Sequence, residues 1–148
     1  MDKWDVRFMD MAKLVSTWSS CYQQNRQVGA VIVKDKRIIT TGYNGAPSGV
    51  VSCKDKGECL RRKLNIASGT HAELCYAVHA EQNAISDAAR RGVSLNGCTA
   101  YITHFPCVNC AKLLVAAGIA KVKYLHDYHN DELALKFFED SGVEITKL

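Results

Sequence analysis

One histidine, one glutamate and two cysteines define the chemistry open to this sequence: His79 and Glu81 in His79-Ala80-Glu81, and Cys107 and Cys110 in Pro106-Cys107-Val108-Asn109-Cys110. An imidazole and two thiolates are soft-to-borderline donors that suit tetrahedral Zn²⁺. Three protein ligands leave a fourth position for water, as a reacting rather than a purely structural zinc requires. Two thiolates and a neutral imidazole cancel the charge of the dication, so the metal alone acidifies water less than it would among three neutral histidines. A neighbouring base is then useful, and Glu81 can take a proton from the water and pass it to a leaving group.

The spacing dictates the backbone that must carry these residues. Positions two apart in a regular helix point about 200° away from each other. His79 and Glu81 therefore converge only where a helix begins at or just before His79, with Gln82 to about Arg91 continuing it. Cys107 and Cys110 are three apart. A helix starting after Pro106 puts both sulfurs on one face of its first turn, where the helix dipole favours thiolates.

The rest of the chain reads as support. Asp2 can cap an amphipathic helix over 3–19 in which Trp4, Phe8, Met11, Leu14, Val15 and Trp18 recur at helical spacing and are expected in the core. Val28-Gly29-Ala30-Val31-Ile32-Val33 reads as a strand buried on both faces, turning at Lys34-Asp35-Lys36 into an antiparallel strand over 37–43. A loop rich in Gly and Pro follows at 44–49. Beyond the 79–91 helix come a strand at 98–103, a helix at 107–117 stopped by Gly118, a strand at 121–126, a helix at 131–141 and a strand at 143–147. Cys98 is expected to be inert core. This order predicts an α/β fold of three α-β-α layers around a mixed five-stranded sheet, with ligands beyond the strand ends near helix N-termini.

At 148 residues the chain is expected to form a single domain, 1–148, with the fractions of apolar and charged residues usual for a globular protein. Seven cysteines, an odd number and clustered with histidine, suit metal ligation better than disulfides and point to a reducing, cytoplasmic compartment. No apolar run approaches the ~20 residues of a membrane helix. The formal charge of +4 is spread along the chain; it is compatible with an anionic small molecule and argues against nucleic acid as partner.

Residues 50–78 form the least regular stretch, long for an undecorated loop. Cys53, Cys59, His71 and Cys75 are the four ligands a closed zinc site needs, with His71 and Cys75 four apart on an expected helical turn. Such a site would replace the hydrophobic core the segment lacks. The alternative is buried thiols with a surface histidine.

His-x-Glu with Pro-Cys-x-x-Cys is the signature of zinc-dependent nucleobase deaminases. The chain further resembles the deoxycytidylate (dCMP) deaminases of the cytidine deaminase-like superfamily through Gln27-Val28-Gly29-Ala30, Gly42-Tyr43-Asn44-Gly45-Ala46-Pro47-Ser48-Gly49, His79-Ala80-Glu81-Gln82-Asn83-Ala84-Ile85 and the 124–131 segment. The resemblance implies hydrolysis of dCMP to dUMP and ammonia for thymidylate synthesis, with zinc on His79, Cys107 and Cys110 and Glu81 as proton shuttle. It implies a second zinc at Cys53, Cys59, His71 and Cys75, with Cys21 and Glu73 as alternative ligands. It also implies a homo-oligomer, a hexamer by preference, activated by dCTP and inhibited by dTTP through the loop of Gly42, Tyr43, Asn44 and Gly45.

For the nucleotide, backbone donors near Ala80 would read the ring carbonyl, Val28 and Ala30 would wall the pocket, and Asn44 would meet the sugar hydroxyl. Arg26 would hold the phosphate, since a guanidinium matches its oxygens; a solvated surface arginine is the alternative. Tyr128 would cover the nucleotide or pack the last helix. Rival readings are a deaminase of dCTP or of tRNA adenosine, a riboflavin-pathway deaminase, and a noncatalytic zinc scaffold. The last leaves Glu81 without a purpose.

Overall fold

A computed structural model describes residues 1–129 and 131–148. Asn130, within the 124–131 stretch of the resemblance, lies outside them. The sheet is five-stranded in the order β2-β1-β3-β4-β5, with β1 at Gly29–Lys34, β2 at Arg37–Tyr43, β3 at Thr99–His104, β4 at Lys121–His126 and β5 at Glu144–Lys147. β1 is antiparallel to β2 and to β3, whereas β3, β4 and β5 run parallel, so the sheet is mixed as expected. Asp35 and Lys36 both take positive φ in the β1–β2 turn, as a tight hairpin demands.

Helix α1 (Lys3–Ser16) covers one face of the sheet. Asp2 caps it, its carboxylate accepting from the amides of Trp4 at 2.7 Å and Asp5 at 2.9 Å. Phe8, Met9, Ala12 and Val15 pack there against Val31, Val33 and Tyr101. Leu14 and Trp18, expected in the core, are exposed instead, because the buried stripe runs through Asp5, Phe8, Met9, Ala12 and Val15 and the helix stops before residue 18. The other face carries α4 (Ala80–Arg91), α5 (Val108–Ala116) and α6 (Glu132–Ser141), whose Ala84, Ala88, Leu114 and Phe138 meet Ile32, Ile102 and Val122. Cys98 is fully buried. Residues alternate along β1 and β3 between the two cores, so both layers follow from the pleat.

Two glycines set how closely helices approach the sheet. A Cβ at Gly29 would stand 2.1 Å from the Ala12 carbonyl oxygen, and one at Gly42 2.1 Å from that of Ala80. The second contact matters most here, because it seats the first turn of α4 against the end of β2.

The 50–78 segment has only short elements: α2 (Cys53–Lys56), α3 (Leu60–Lys63) and a 3₁₀ turn at Ala72–Leu74. Among the described residues no helix is long and apolar enough to cross a membrane.

Candidate active site

His79 is the residue just before α4, with φ −65° and ψ 154°, and Glu81 is the second residue inside it. The helix therefore starts where the His-x-Glu spacing required. Three contacts hold that start. The His79 amide donates to Gln82 Oε1 at 3.0 Å, Val78 and Gly45 exchange backbone hydrogen bonds at 2.8 and 3.2 Å, and Asn83 Nδ2 donates to the Tyr43 carbonyl at 2.5 Å. Cys107 occupies the matching position before α5, and Cys110 lies in its first turn, fully buried. The approach from β3 is fixed by the Phe105 amide donating to the His126 carbonyl at 2.8 Å.

His79 Nδ1 lies 3.5 Å from Cys107 Sγ and 3.3 Å from Cys110 Sγ, and the three ligand atoms fall within 4.8 Å of one another. Ligands bound tetrahedrally at about 2.0–2.3 Å from zinc sit roughly 3.5 Å apart, so the donor set and its spacing fit the metal. The electrostatics agree. A hydrogen bond from the Cys110 thiol, resisted by burial and helped by His79, holds Cys107 down to about 4. Cys110, the donor to that thiolate in a buried place, is pushed far up. The contact with Cys107 raises His79 against the opposing effect of burial. Three groups thus crowd around too few protons, a situation a dication relieves by replacing them.

Glu81 is 4% exposed, and burial raises its carboxyl pKa while the charge of His79 opposes the rise. A buried carboxyl with a raised pKa beside three metal-ligating groups is equipped to take up and release a proton. A cavity of about 410 Å³ opens beside His79, lined among others by Pro47, Tyr76, Val78, Gln82 and Asn109, a size that admits a nucleotide.

The family model of the cytidine and deoxycytidylate deaminase zinc-binding region matches residues 2–126. The chain belongs to that family. It is 38% identical over 145 residues to ComE operon protein 2 of Bacillus subtilis, covering 98% of this chain and 71% of that one. It is 37% identical over 142 residues to the deoxycytidylate deaminase of Saccharomyces cerevisiae, covering 96% of this chain and 44% of the relative, so it spans under half the length of the yeast protein. The crystal structure of dCMP deaminase from the cyanophage S-TIM5 in complex with dCMP and dUMP superposes with a TM-score of 0.80 at 30% identity, covering 100% of this chain and 99% of that one.

The other positions expected at the nucleotide, Arg26, Val28, Asn44, Ala80 and Tyr128, are not among the residues that line the cavity beside His79. Asn44 Oδ1 accepts from the Val28 amide at 2.8 Å and its Nδ2 donates to the Arg26 carbonyl at 2.6 Å, so the side chain expected at the sugar clamps the 26–28 segment that leads into β1. Arg26 Nη2 donates to Ser68 Oγ at 3.1 Å. Ala80 is fully buried and Val28 half-buried. Tyr128 meets His104 edge to face at 6.3 Å, and His104 pairs in register with His126, their rings 5.1 Å apart. His126 escaped the sequence reading, since its proximity to His104 comes only from parallel pairing of β3 with β4.

The 50–78 segment corrects one expectation. His71 does not join the cysteines: it takes a left-handed conformation at φ 48°, its side chain is 66% exposed, and its Nδ1 lies 3.1 Å from Glu73 Oε1. The helical turn expected to align His71 with Cys75 is a short 3₁₀ turn beginning after His71. The sulfurs nonetheless share a neighbourhood. Burial first, then the charges of Cys75 and Cys59, push up both Cys21 and Cys53. Among the described residues only His79, Cys107 and Cys110 stand at ligand distance.

Proposed function

We propose that the chain hydrolyses dCMP to dUMP and ammonia, with zinc held by His79, Cys107 and Cys110 and Glu81 moving the protons. The observation that carries this is the buried Glu81 carboxyl set against a three-ligand cluster at the start of two helices. When bound, zinc supplies Lewis acidity that lowers the pKa of water. Glu81 takes a proton from the attacking water as its oxygen bonds C4 of the cytosine. The same carboxyl gives that proton to ring N3 and then carries the proton of the new C4 hydroxyl to the amino nitrogen; the C4–N bond breaks, C4=O forms, and ammonia leaves. Burial serves both steps by keeping the carboxyl pKa above its ordinary value.

In this reading the backbone at Ala80 reads the ring carbonyl and Val28 packs on the base. Asn44 meets the sugar hydroxyl while still clamping the 26–28 segment, Arg26 faces the phosphate, and Tyr128 closes the rim. The Gly42-Tyr43-Asn44-Gly45 loop receives the dCTP and dTTP effectors, and the chain assembles as a hexamer in the cytoplasm. Exposed Trp18, packed edge-on against Tyr43, with exposed Val50 and Val51, supplies apolar surface for subunit contact. A second zinc binds Cys21, Cys53, Cys59 and Cys75, with Cys21 in the place first assigned to His71. What supports this is the mutual proximity of those sulfurs in a segment without a core.

The test is ammonia release by zinc-loaded protein from dCMP, dCTP, cytidine and a tRNA anticodon stem-loop. Turnover is expected on dCMP above the others. Inactivity on every free nucleotide would refute the assignment.

A further inference from the structure

The 67–70 turn, Ala67-Ser68-Gly69-Thr70, is gripped by two arginines. Arg61, in α3, donates from Nη2 to the Ala67 carbonyl at 2.8 Å and to the Thr70 carbonyl at 2.7 Å. The same Ala67 oxygen accepts from the Thr70 amide at 3.2 Å and the Thr70 hydroxyl at 2.7 Å, so the turn is closed by four hydrogen bonds around a single guanidinium. Arg26 in turn bonds the Ser68 hydroxyl, and the Arg26 carbonyl is itself held by Asn44. The His129 ring lies beside Gly69, whose added Cβ would meet it at 3.7 Å.

This turn concentrates positive charge and donors; Glu73 is near enough to feel the Arg61 charge but pairs with His71 instead. Among the described residues neither Arg26 nor Arg61 is in an ion pair with a carboxylate, and Arg61 Nε is buried without a partner. The amides of Ser68 and Gly69 donate to no backbone carbonyl among the described residues. Free amides in a tight turn flanked by guanidinium groups are the elements of an oxyanion cradle. The turn connects to the active site through Arg26, since Asn44 holds the Arg26 carbonyl and the adjoining Gly45 exchanges backbone hydrogen bonds with Val78, next to His79.

We infer that the 67–70 turn receives the 5′-phosphate and that Arg61 is the positioning residue that makes the site prefer a phosphorylated nucleotide. This rests on the deaminase reading above. Arg61 spends its donors on the carbonyls of the turn, while Ser68, the free amides and Arg26 face the anion.

The experiment compares dCMP with deoxycytidine for wild type, Arg61→Ala, Arg61→Lys and Ser68→Ala, and measures binding of inorganic phosphate to each. Arg61→Ala is expected to raise KM for dCMP about tenfold or more with kcat within about threefold, leaving kcat/KM for deoxycytidine within about twofold. Arg61→Lys and Ser68→Ala, which alter one contact on a surface turn, should shift the same KM about threefold and weaken phosphate binding in parallel. Equal loss on both substrates, or an unchanged KM for dCMP in all three variants, would overturn the inference. If wild type turns over neither substrate, the deaminase reading fails by itself. The turn is then decided by phosphate: weaker binding in Ser68→Ala supports it and equal binding refutes it.

Discussion

The catalytic cluster and the 50–78 segment both offer sulfur and imidazole ligands, yet the fold treats them in opposite ways. His79, Cys107 and Cys110 sit at the starts of helices of 12 and 9 residues whose apolar faces are sunk in the core. Packing of those helices brings His79 Nδ1 to 3.3–3.5 Å from both sulfurs. In 50–78 the two α-helices have four residues each and Cys53 is the single buried residue. The cysteines there are neighbours without reaching ligand distance. A hydrophobic core can build a metal site in advance; a segment without one must draw its geometry from the cross-links it forms.

That contrast breaks most easily at Gly42. An alanine there would put its Cβ 2.1 Å from the Ala80 oxygen and 2.6 Å from the Ala84 nitrogen, forcing α4 off β2. Gly42→Ala should cost about 3 kcal/mol or more by overpacking, and lower Tm by roughly 6–12 °C. If packing positions the catalytic ligands, zinc affinity should fall with it although no ligand has changed.

A smaller effect is expected far from both regions. Asp5 is buried in the first turn of α1, where Tyr101 Oη and Lys123 Nζ each donate to it at 2.7 Å. Asp5→Asn leaves the Lys123 charge unpaired and should cost about 2–3 kcal/mol, near the lower end for buried pairs because Lys123 stays partly exposed. Burial by itself would raise the Asp5 carboxyl, but the bonds from Lys123 and Tyr101 outweigh it and hold the pKa below its usual value. A lowered folded pKa contributes stability above the unfolded value of about 3.9, and that contribution is lost as pH falls through the folded value. Denaturant titrations should show the difference between wild type and variant wide at pH 7 and closing below about pH 4. Activity at neutral pH should be kept.

The smallest global effect belongs to Cys59→Ser. If 50–78 is cross-linked locally, Tm should move by no more than about 2 °C while the zinc content falls by one per chain and proteolysis within 50–78 accelerates. Unchanged zinc content would retire the second metal.

Much of this was legible in the sequence because local chemistry and local structure demanded the same thing. The His-x-Glu spacing required a helix start at residue 79, and the backbone provides it. The unbroken apolar run at 28–33 announced a strand buried on both faces, and β1 shows that burial from Gly29 on. His71 was misread because four-residue spacing implies a shared face only in a helix, and here the chain turns left-handed. Arg61 left no signal, since Leu60-Arg61-Arg62-Lys63 reads as a solvated basic run until folding brings carbonyls 67 and 70 beside it.

The role of Glu81 is tested most directly by measuring zinc content and ammonia release from dCMP together in Glu81→Gln. The amide should keep the metal on His79, Cys107 and Cys110 while turnover falls about 10²–10⁴-fold, as loss of an acid–base group predicts. Loss of that zinc, or turnover within a few-fold of wild type, would contradict the assignment of Glu81 as the proton carrier.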